Sequence, residues 1–247
     1  HVTGVQTCAL PICHVAPPPP HLHRPLRQTQ TSFRMPSHKY YDIFNGDADG
    51  ICALHQLRMA TPREATWITG VKRDISLLSR VDAQKGDSLT VLDISLKTNA
   101  EALSTLLKRG VTCEYFDHHE AGVIPKHRLL TAHIDTSSAM CTSLIVNQHL
   151  KGRFCAWAVV AAFGDNLIAP AVSAAAPLEF DHNELARLHE LGDCMNYNAY
   201  GETVDDLHYH PTDLYEAIQP YDDPREFLIS EPVFEVLKAA RREDSEL

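Results

Sequence analysis

The chain has 247 residues, 44% of them hydrophobic and 22% charged, which is the composition of a globular protein. It carries 22 Lys and Arg against 32 Asp and Glu, so its formal net charge is −10. An acidic chain of this kind lacks the basic surface that long duplex nucleic acid requires, although it can bind a short anionic substrate where metal ions supply the positive charge.

Cysteine usage and hydropathy indicate the compartment. No apolar run approaches the roughly 20 residues that a membrane-spanning helix needs, so no membrane association is expected. The five cysteines after residue 34 stand singly within apolar runs and form no CxxC pair. This pattern is typical of reduced, buried thiols rather than of a disulfide framework or a zinc site. We therefore expect a cytoplasmic protein.

The first 34 residues differ from the rest of the chain. They contain a proline run and scattered histidines, and they lack a sustained hydrophobic period. We predict that residues 1–34 are a disordered tail or an artefact of sequence assembly, with the natural start at Met35. Both interpretations leave this segment outside the fold.

From Tyr40 onward, short apolar segments alternate with segments of helical character. Strands are predicted at 40–46, 66–70, 88–95, 111–116 and 128–134, and helices at 50–60, 73–81, 99–110 and 139–150. This alternation predicts βαβ units, and hence an α/β fold with a parallel sheet flanked by helices. The α/β domain is predicted to span residues 35–170.

The later part of the chain is predicted to be helical. Helices are expected at 153–167, 181–201, 211–223 and 231–247, with a connector at 173–180. Asp181 is the expected N-cap of the second of these helices. We predict that residues 171–247 form a helical connector and a C-terminal segment.

Acidic and histidine side chains follow three of the predicted strands. Asp47 and Asp49 come after the first strand, Asp93 closes the third, and the run "DHH", residues 117–119, follows the fourth. The carboxyl ends of parallel strands meet at one edge of the sheet, so these side chains should converge there. Such a cluster needs cations, and oxygen ligands with a minority of imidazole favour Mn²⁺ or Mg²⁺ over zinc. A pair of ions would support hydrolysis at phosphorus.

Four motifs give the sequence a resemblance to a known family. "NGDADG", "VLDIS", "FDHHEAG" and "FGDN" occur in the order and approximate spacing of the motifs of the DHH phosphoesterase superfamily. Members include RecJ-like exonucleases, nano-RNases, cyclic-dinucleotide phosphodiesterases and family II pyrophosphatases. The resemblance covers roughly residues 40–170. It implies a parallel α/β domain of the DHH type with a metal-dependent active site.

The resemblance also implies roles for individual residues. Two Mn²⁺ ions, or Mg²⁺ in their place, would be held, with Asp93 bridging them. Asp47 would complete the first site, where Asn45 stands in place of the His or Asp of relatives and would be a neutral, weaker ligand. The second site would consist of Asp93 together with Asp49, His118 and Asp165.

Further roles concern the substrate. By the same resemblance, His119 would contact the scissile phosphate and could protonate the leaving group, while Asp117 would support the site from behind. Ser137 and Ser138 are candidates for phosphate contacts through their hydroxyls and the amides of a helix start. By contrast, Lys72 is expected to lie at a solvated loop end, and the aromatic stretch "YNAY" at 197–200 is expected to be packing.

The expected activity is hydrolysis of a phosphodiester in short oligonucleotides or related nucleotides by a two-metal mechanism. Two alternatives stay open: a pyrophosphatase-like or polyphosphate-cleaving hydrolase, and a non-catalytic module that binds nucleotides or nucleic acid, which Asn45 suggests. Relatives that are nucleases carry a glycine-rich motif in a C-terminal domain, and no glycine follows Gly201 here. The C-terminal region is therefore predicted to be atypical or incomplete, and the sequence leaves the oligomeric state open.

Overall fold

The computed structural model describes residue 1 and residues 38–245, so most of the predicted tail and Met35 lie outside the described residues. Five strands form one sheet in the order β2-β1-β3-β4-β5, and every neighbouring pair is parallel. The predicted α/β class is thus confirmed. The strands are β1 Tyr40–Phe44, β2 Thr66–Ile68, β3 Ser88–Leu92, β4 Thr112–Asp117 and β5 Leu130–Ile134.

The helices divide into those that connect strands and those that follow the sheet. Two connect strands: α1 Ala48–Ala60 and α2 Leu96–Arg109. The others follow β5: α3 Thr142–His149, α4 Cys155–Gly164, α5 Ile168–Ala175, α6 His182–Asn198, α7 Pro211–Ile218, α8 Pro224–Ser230 and α9 Val233–Ser245. None of these described helices combines the length and apolar character needed to cross a bilayer.

Both faces of the sheet are buried, in two separate hydrophobic clusters. Phe44, Leu92 and Phe116 point to one face, where they pack with α1, α3, α4 and helices from the second half of the chain. Their strand neighbours Ile43 and Val91 point to the other face and pack with α2. Burial on both faces explains why these strands are almost continuously apolar in sequence.

A close helix contact joins the second half of the chain to the first. A Cβ added to Gly192 on α6 would lie 2.3 Å from the carbonyl oxygen of Val160 on α4, and one added to Gly164 would lie 2.9 Å from the carbonyl oxygen of Gly192. The missing side chains let the two helix backbones touch. Helix α6 opens at the predicted N-cap, because Asp181 accepts the N–H of Glu184 in a capping box.

Two local predictions are wrong. The helix predicted at 73–81 is only a short 3-10 turn at Leu77–Arg80, because Asn99 of α2 ties this segment down: its Nδ2 donates to the carbonyl of Ile75 and its Oδ1 accepts the N–H of Leu78. The segment predicted as a connector at 173–180 begins inside α5. The alanines of this segment favour a helix, and Ala171 and Ala175 are buried.

Candidate metal centre

The site lies where the chain order of the sheet reverses. From β1 the chain passes to β2 on one side, and it then returns to β3 on the other side of β1. A crevice forms at such a point, beyond the carboxyl ends of the strands. Phe44, Leu92 and Phe116 are in register, so the residues that follow them, Asn45, Asp93 and Asp117, leave the sheet at one level.

Asp93 has an unusual backbone. Its φ of 59° lies in the left-handed region, which aspartate tolerates better than most residues, at a cost of order 1 kcal/mol. Its N–H donates to the carbonyl of Phe116 at 3.0 Å, and Oδ1 of its carboxylate accepts the hydroxyl of Thr142 at 3.1 Å. The carboxylate is thereby fixed, almost fully buried, in the centre of the crevice.

His118 faces three carboxylates. Its Nδ1 lies 3.0 Å from the carbonyl oxygen of Met140, which can only accept, so we assign the proton to Nδ1 and a lone pair to Nε2. That Nε2 lies 3.4 Å from Asp93 Oδ1, 3.6 Å from Asp165 Oδ2 and 3.9 Å from Asp49 Oδ2. Three carboxylate oxygens and one imidazole nitrogen, with the histidine oriented by a backbone carbonyl, fit a hard divalent ion. The structure therefore brings together the four residues predicted for the second metal.

The start of α3 holds Asp49 in this group. Asp49 is fully buried on α1, and its two carboxylate oxygens accept the N–H groups of Thr142 and Ser143, each at 2.7 Å. The hydroxyl of Ser143 also donates to the carbonyl of Asp49 at 2.8 Å. These bonds use the positive end of a helix to hold a negative side chain beside the site.

His119 is paired with Asp117. Its Nδ1 lies 2.7 Å from Asp117 Oδ1, which also accepts the N–H of His119 at 3.1 Å, and Oδ2 of Asp117 accepts the N–H of Leu96. Asp117 is fully buried, whereas His119 is half exposed. The hydrogen bond to Asp117 raises the pKa of His119 above its usual value, against the lowering effect of burial.

Lys72 belongs to the site, which contradicts the prediction of a solvated loop end. Its Nζ lies 2.5 Å from Asp47 Oδ2, 2.7 Å from Asn196 Oδ1 and 3.4 Å from Asp165 Oδ1. Sequence reasoning missed it because no motif marks the loop after β2. It also missed Asn196, which lies on α6 beyond the predicted domain boundary and reaches the site through the close contact of α6 with α4.

Asp47 and Asn45 lie beside Lys72. Asp47 is the N-cap of α1, with Oδ1 accepting the N–H groups of Asp49 and Gly50 at 3.1 Å each. The side-chain amide of Asn45 hydrogen-bonds to backbone groups: Oδ1 accepts the N–H of Asp47 at 3.3 Å, and Nδ2 donates to the carbonyl of Lys72 at 3.4 Å.

The predicted serines lie in a loop rather than at a helix start. Ser137 and Ser138 are exposed, and the N–H of Ser137 donates to Asp135 Oδ1 at 2.9 Å. Helix α3 begins later, at Thr142, and its first amides bind Asp49. The expected phosphate contact through helix-start amides at these serines is therefore wrong, while a contact through their hydroxyls stays a prediction.

Crowding of like charges shifts the acidity of the carboxyl groups. Burial and the neighbouring Asp49 and Asp47 raise the pKa of Asp93 well above its usual value and that of Asp165 to about 7. Burial has the largest single effect on the pKa of Asp47 and acts to raise it, but Lys72 together with hydrogen bonds from Gly50 and Asp93 outweighs it, so the net direction is downward. Burial lowers the pKa of Lys72, and the facing carboxylates raise it by more. The site holds an excess of buried negative charge that a cation would neutralise.

A second group of potential ligands lies away from this site, at the β5 edge of the sheet. Glu114, His133 and His149 have ligand atoms within 4.8 Å of one another, and His133 Nε2 lies 3.2 Å from Glu114 Oε1. His133 also stacks on Phe116, at 4.4 Å between ring centroids. An ordinary ion pair and ring packing account for these contacts, but the group has to be controlled for when bound metal is counted.

The described chain has the fold of the DHH superfamily. It is similar to a crystal structure of exonuclease RecJ bound to manganese, with a TM-score of 0.53 and 14% identity over 83% of this chain and 62% of that one. It is also similar to the DHH domain of a member of a family of ribosomal proteins, with a TM-score of 0.56 and 12% identity over 83% of this chain and 57% of that one. The chain thus spans about three fifths of each structure. No protein-family model and no curated protein matches it.

Proposed function

We propose that this chain is a divalent-metal-dependent phosphoesterase that hydrolyses a phosphodiester bond in short oligonucleotides or related nucleotides. The observation that carries the proposal is the convergence of Nε2 of His118 with the carboxylates of Asp49, Asp93 and Asp165 at the carboxyl edge of a parallel sheet. A DHH fold shared with a manganese-bound exonuclease supports it. The donor set favours Mn²⁺ or Mg²⁺.

The ion would supply a Lewis acid and a bound water of lowered pKa. The residues of the chain hold the other groups in place. His118 is fixed by Met140, Asp93 by Thr142, and Asp49 by the start of α3. Positioning of this kind matters because a misplacement of about 1 Å in a reacting group can cost 10²-fold in rate.

His119 is the proposed proton donor. Asp117 holds its Nδ1, so its Nε2 is the atom left to face a bound phosphate or leaving group, and its half-exposed position gives it access to the crevice. The raised pKa keeps a larger fraction of the ring protonated near neutral pH, as a general acid requires.

The substrate is expected to be short and anionic. An acidic chain does not attract long duplex nucleic acid, while the ion and Lys72 offer local positive charge for a single phosphate. The loop with Ser137 and Ser138 leads directly to Met140, whose carbonyl binds His118, and the N–H of Met140 donates to the carbonyl of Ser137 at 3.1 Å. This connection supports the two serine hydroxyls as candidates for substrate contacts.

The test is hydrolysis of a substrate panel by the purified chain with Mn²⁺. The panel contains dinucleotides, short oligonucleotides, cyclic dinucleotides, pyrophosphate and polyphosphate. We expect Mn²⁺-dependent cleavage of at least one phosphodiester. Asp93→Asn, which removes a central ligand but keeps its shape, should lower the rate by about 10²-fold or more.

Other outcomes would point to the alternatives. Release of phosphate from pyrophosphate or polyphosphate alone would replace the proposal by a phosphoanhydride hydrolase. Tight binding of nucleotides without any product would indicate a non-catalytic module. Cleavage that is equally fast with Asp93→Asn would mean that the activity comes from elsewhere.

A further inference from the structure

The donors at the first of the two metal positions do not fit a divalent ion. Asn45 is neutral, and both polar atoms of its amide are engaged with the backbone. Asp47 differs from Asp49, whose partners are neutral backbone amides, because a positive charge already lies on it: Oδ1 caps α1, and Oδ2 accepts the ammonium group of Lys72 at 2.5 Å. What is left for an ion there is Asp93, which already faces His118.

A cation of the chain itself occupies this position. The ammonium group of Lys72 has three hydrogens, and three acceptors surround it: the carboxylates of Asp47 and Asp165 and the amide oxygen of Asn196. Only 27% of the Lys72 side chain is exposed, and the ring of Tyr200 lies 5.9 Å from Nζ. The lysine is therefore held in the crevice by the N-cap of α1, the C-cap of α4 and a residue of α6.

We propose that the ammonium group of Lys72 takes the place of the first metal ion, so that the site binds a single divalent ion, the one at His118. This inference rests on the proposed function, since that ion is the one it retains. Lys72 supplies the second positive charge as a fixed point charge, held by Asp47, Asp165 and Asn196 beside the retained ion. Asn45 then makes hydrogen bonds to the backbone and binds no metal. Relatives with two ions have a carboxylate or imidazole ligand at this position.

The inference predicts how many ions the chain binds. Full-length protein is titrated with Mn²⁺, bound metal is counted after desalting, and the spin state is read by electron paramagnetic resonance. The protein with native Lys72 and Asn45 and all variants of it carry His149→Gln, which removes one potential ligand of the cluster at the β5 edge. We expect one tightly bound ion per chain and the spectrum of isolated Mn²⁺, without the exchange coupling that two ions sharing Asp93 would produce.

Variants distinguish the effect of the Lys72 ammonium group on metal binding from the effects of neighbouring residues. Lys72→Ala combined with Asn45→His frees Asp47 and restores an imidazole, so we expect a second ion and an exchange-coupled spectrum. Asn45→His alone should stay at one ion, because Lys72 still engages Asp47. Arg73→Ala, which removes a positive charge from an exposed position next in the same loop, should also stay at one ion. Circular dichroism checks that each variant is folded.

The outcomes distinguish this inference from the proposed function. Two tightly bound, exchange-coupled ions in the chain with native Lys72 and Asn45 would overturn the inference and leave the phosphoesterase proposal standing. A second ion in Asn45→His alone would also overturn it, as would a folded double variant that still binds one ion. If no Mn²⁺ binds at all, the metal site itself is wrong and both proposals fail.

Discussion

The adjacent histidines His118 and His119 differ in protonation because their Nδ1 atoms have different hydrogen-bond partners. His118 faces a backbone carbonyl, which leaves its Nε2 lone pair directed at three carboxylates. His119 faces the buried carboxylate of Asp117, which favours the protonated ring. The same side chain is thus suited to binding a cation at one position and to donating a proton at the next.

This difference predicts the behaviour of a variant. His119→Gln removes the proposed acid but none of the ligands of the His118 site, so we expect kcat to fall by about 10²–10⁴-fold while Mn²⁺ affinity stays within about twofold. Steady-state kinetics and calorimetric Mn²⁺ titration measure the two quantities. Loss of Mn²⁺ binding in this variant would mean that the roles of the two histidines are exchanged.

The sequence could reveal most of the acidic and histidine residues because they follow strands, and the ends of parallel strands share one edge. Asp165, at the end of α4, was indicated by the motif "FGDN" instead. It could not reveal Lys72 or Asn196. Both reach the site from elements with no motif, and only the packing of α6 on α4 brings Asn196 to the lysine. A lone lysine after a short strand is most often solvated, so the pattern alone favoured the wrong interpretation of Lys72.

At the scale of elements, the contact between α4 and α6 ties the site to the second half of the chain. Asp165 is the C-cap of α4, and Asn196 lies about one turn beyond Gly192 on α6. The contact depends on the absence of a side chain at Gly192, where a Cβ would lie 2.3 Å from the Val160 carbonyl oxygen and 2.8 Å from the backbone nitrogen of Gly164.

Gly192→Ala should therefore destabilise the protein, although alanine is the better helix former by about 1 kcal/mol. We expect a net loss of about 1–3 kcal/mol in the free energy of unfolding, because the helices must move apart to admit the methyl group. Urea denaturation measures it. The matched control is Ala186→Gly, at an exposed position of the same helix, which should cost about 1 kcal/mol from propensity alone. A Gly192→Ala variant as stable as the parent would refute the close contact.

The failed prediction of a helix at 73–81 shows a limit at this scale. Its apolar spacing resembles a helix, yet Asn99 supplies the hydrogen bonds that the segment would otherwise make to itself. A contact between segments more than twenty residues apart overrides local propensity, and a single sequence does not display it. The C-cap of α2 is by contrast a local feature: Gly110 has a φ of 93°, a left-handed conformation that glycine adopts without strain.

At the scale of the whole described unit, one backbone carbonyl links the α/β half to the later helices. The carbonyl of Tyr221, between α7 and α8, accepts Nε2–H of His55 on α1 at 2.9 Å and Nε1–H of Trp157 on α4 at 3.1 Å. Both rings are buried, and they meet edge to face at 5.0 Å. Burial lowers the pKa of His55 to about 4, although the bond to Tyr221 and nearby Asp222 act in the opposite direction.

This histidine makes stability depend on pH. Its pKa in the folded state lies below the ordinary 6.5, so between the two values the unfolded chain binds the proton more readily. Stability is therefore fully present above 6.5 and is lost as the pH falls, by about 2 kcal/mol at pH 5 from this group. Urea unfolding between about pH 4 and pH 7 measures the slope.

His55→Gln keeps a donor for the Tyr221 carbonyl but cannot titrate, so its stability should fall less steeply toward low pH than that of the parent. His208→Gln, which removes a histidine at an exposed position, is the control for the substitution itself. Equal slopes for the parent and His55→Gln would show that His55 is not held neutral by burial.

Alternation of strands and helices was enough to predict the parallel sheet, because the hydrophobic period of each segment reports its own burial. The arrangement of the later helices could not be predicted in this way. Their contacts with α1 and α4 run through single pairs such as Tyr221 with His55, which composition and periodicity do not encode. The boundary at residue 170 stays a prediction, although Asn196 beyond it contacts Lys72.

Anomalous diffraction at the manganese edge, from crystals grown with Mn²⁺, locates the bound metal and counts it. We predict one strong peak beside Nε2 of His118, with oxygens of Asp49, Asp93 and Asp165 around it, and the ammonium group of Lys72 still on Asp47. Crystals that show no peak there, or a peak only at the Glu114, His133 and His149 cluster, would contradict the account.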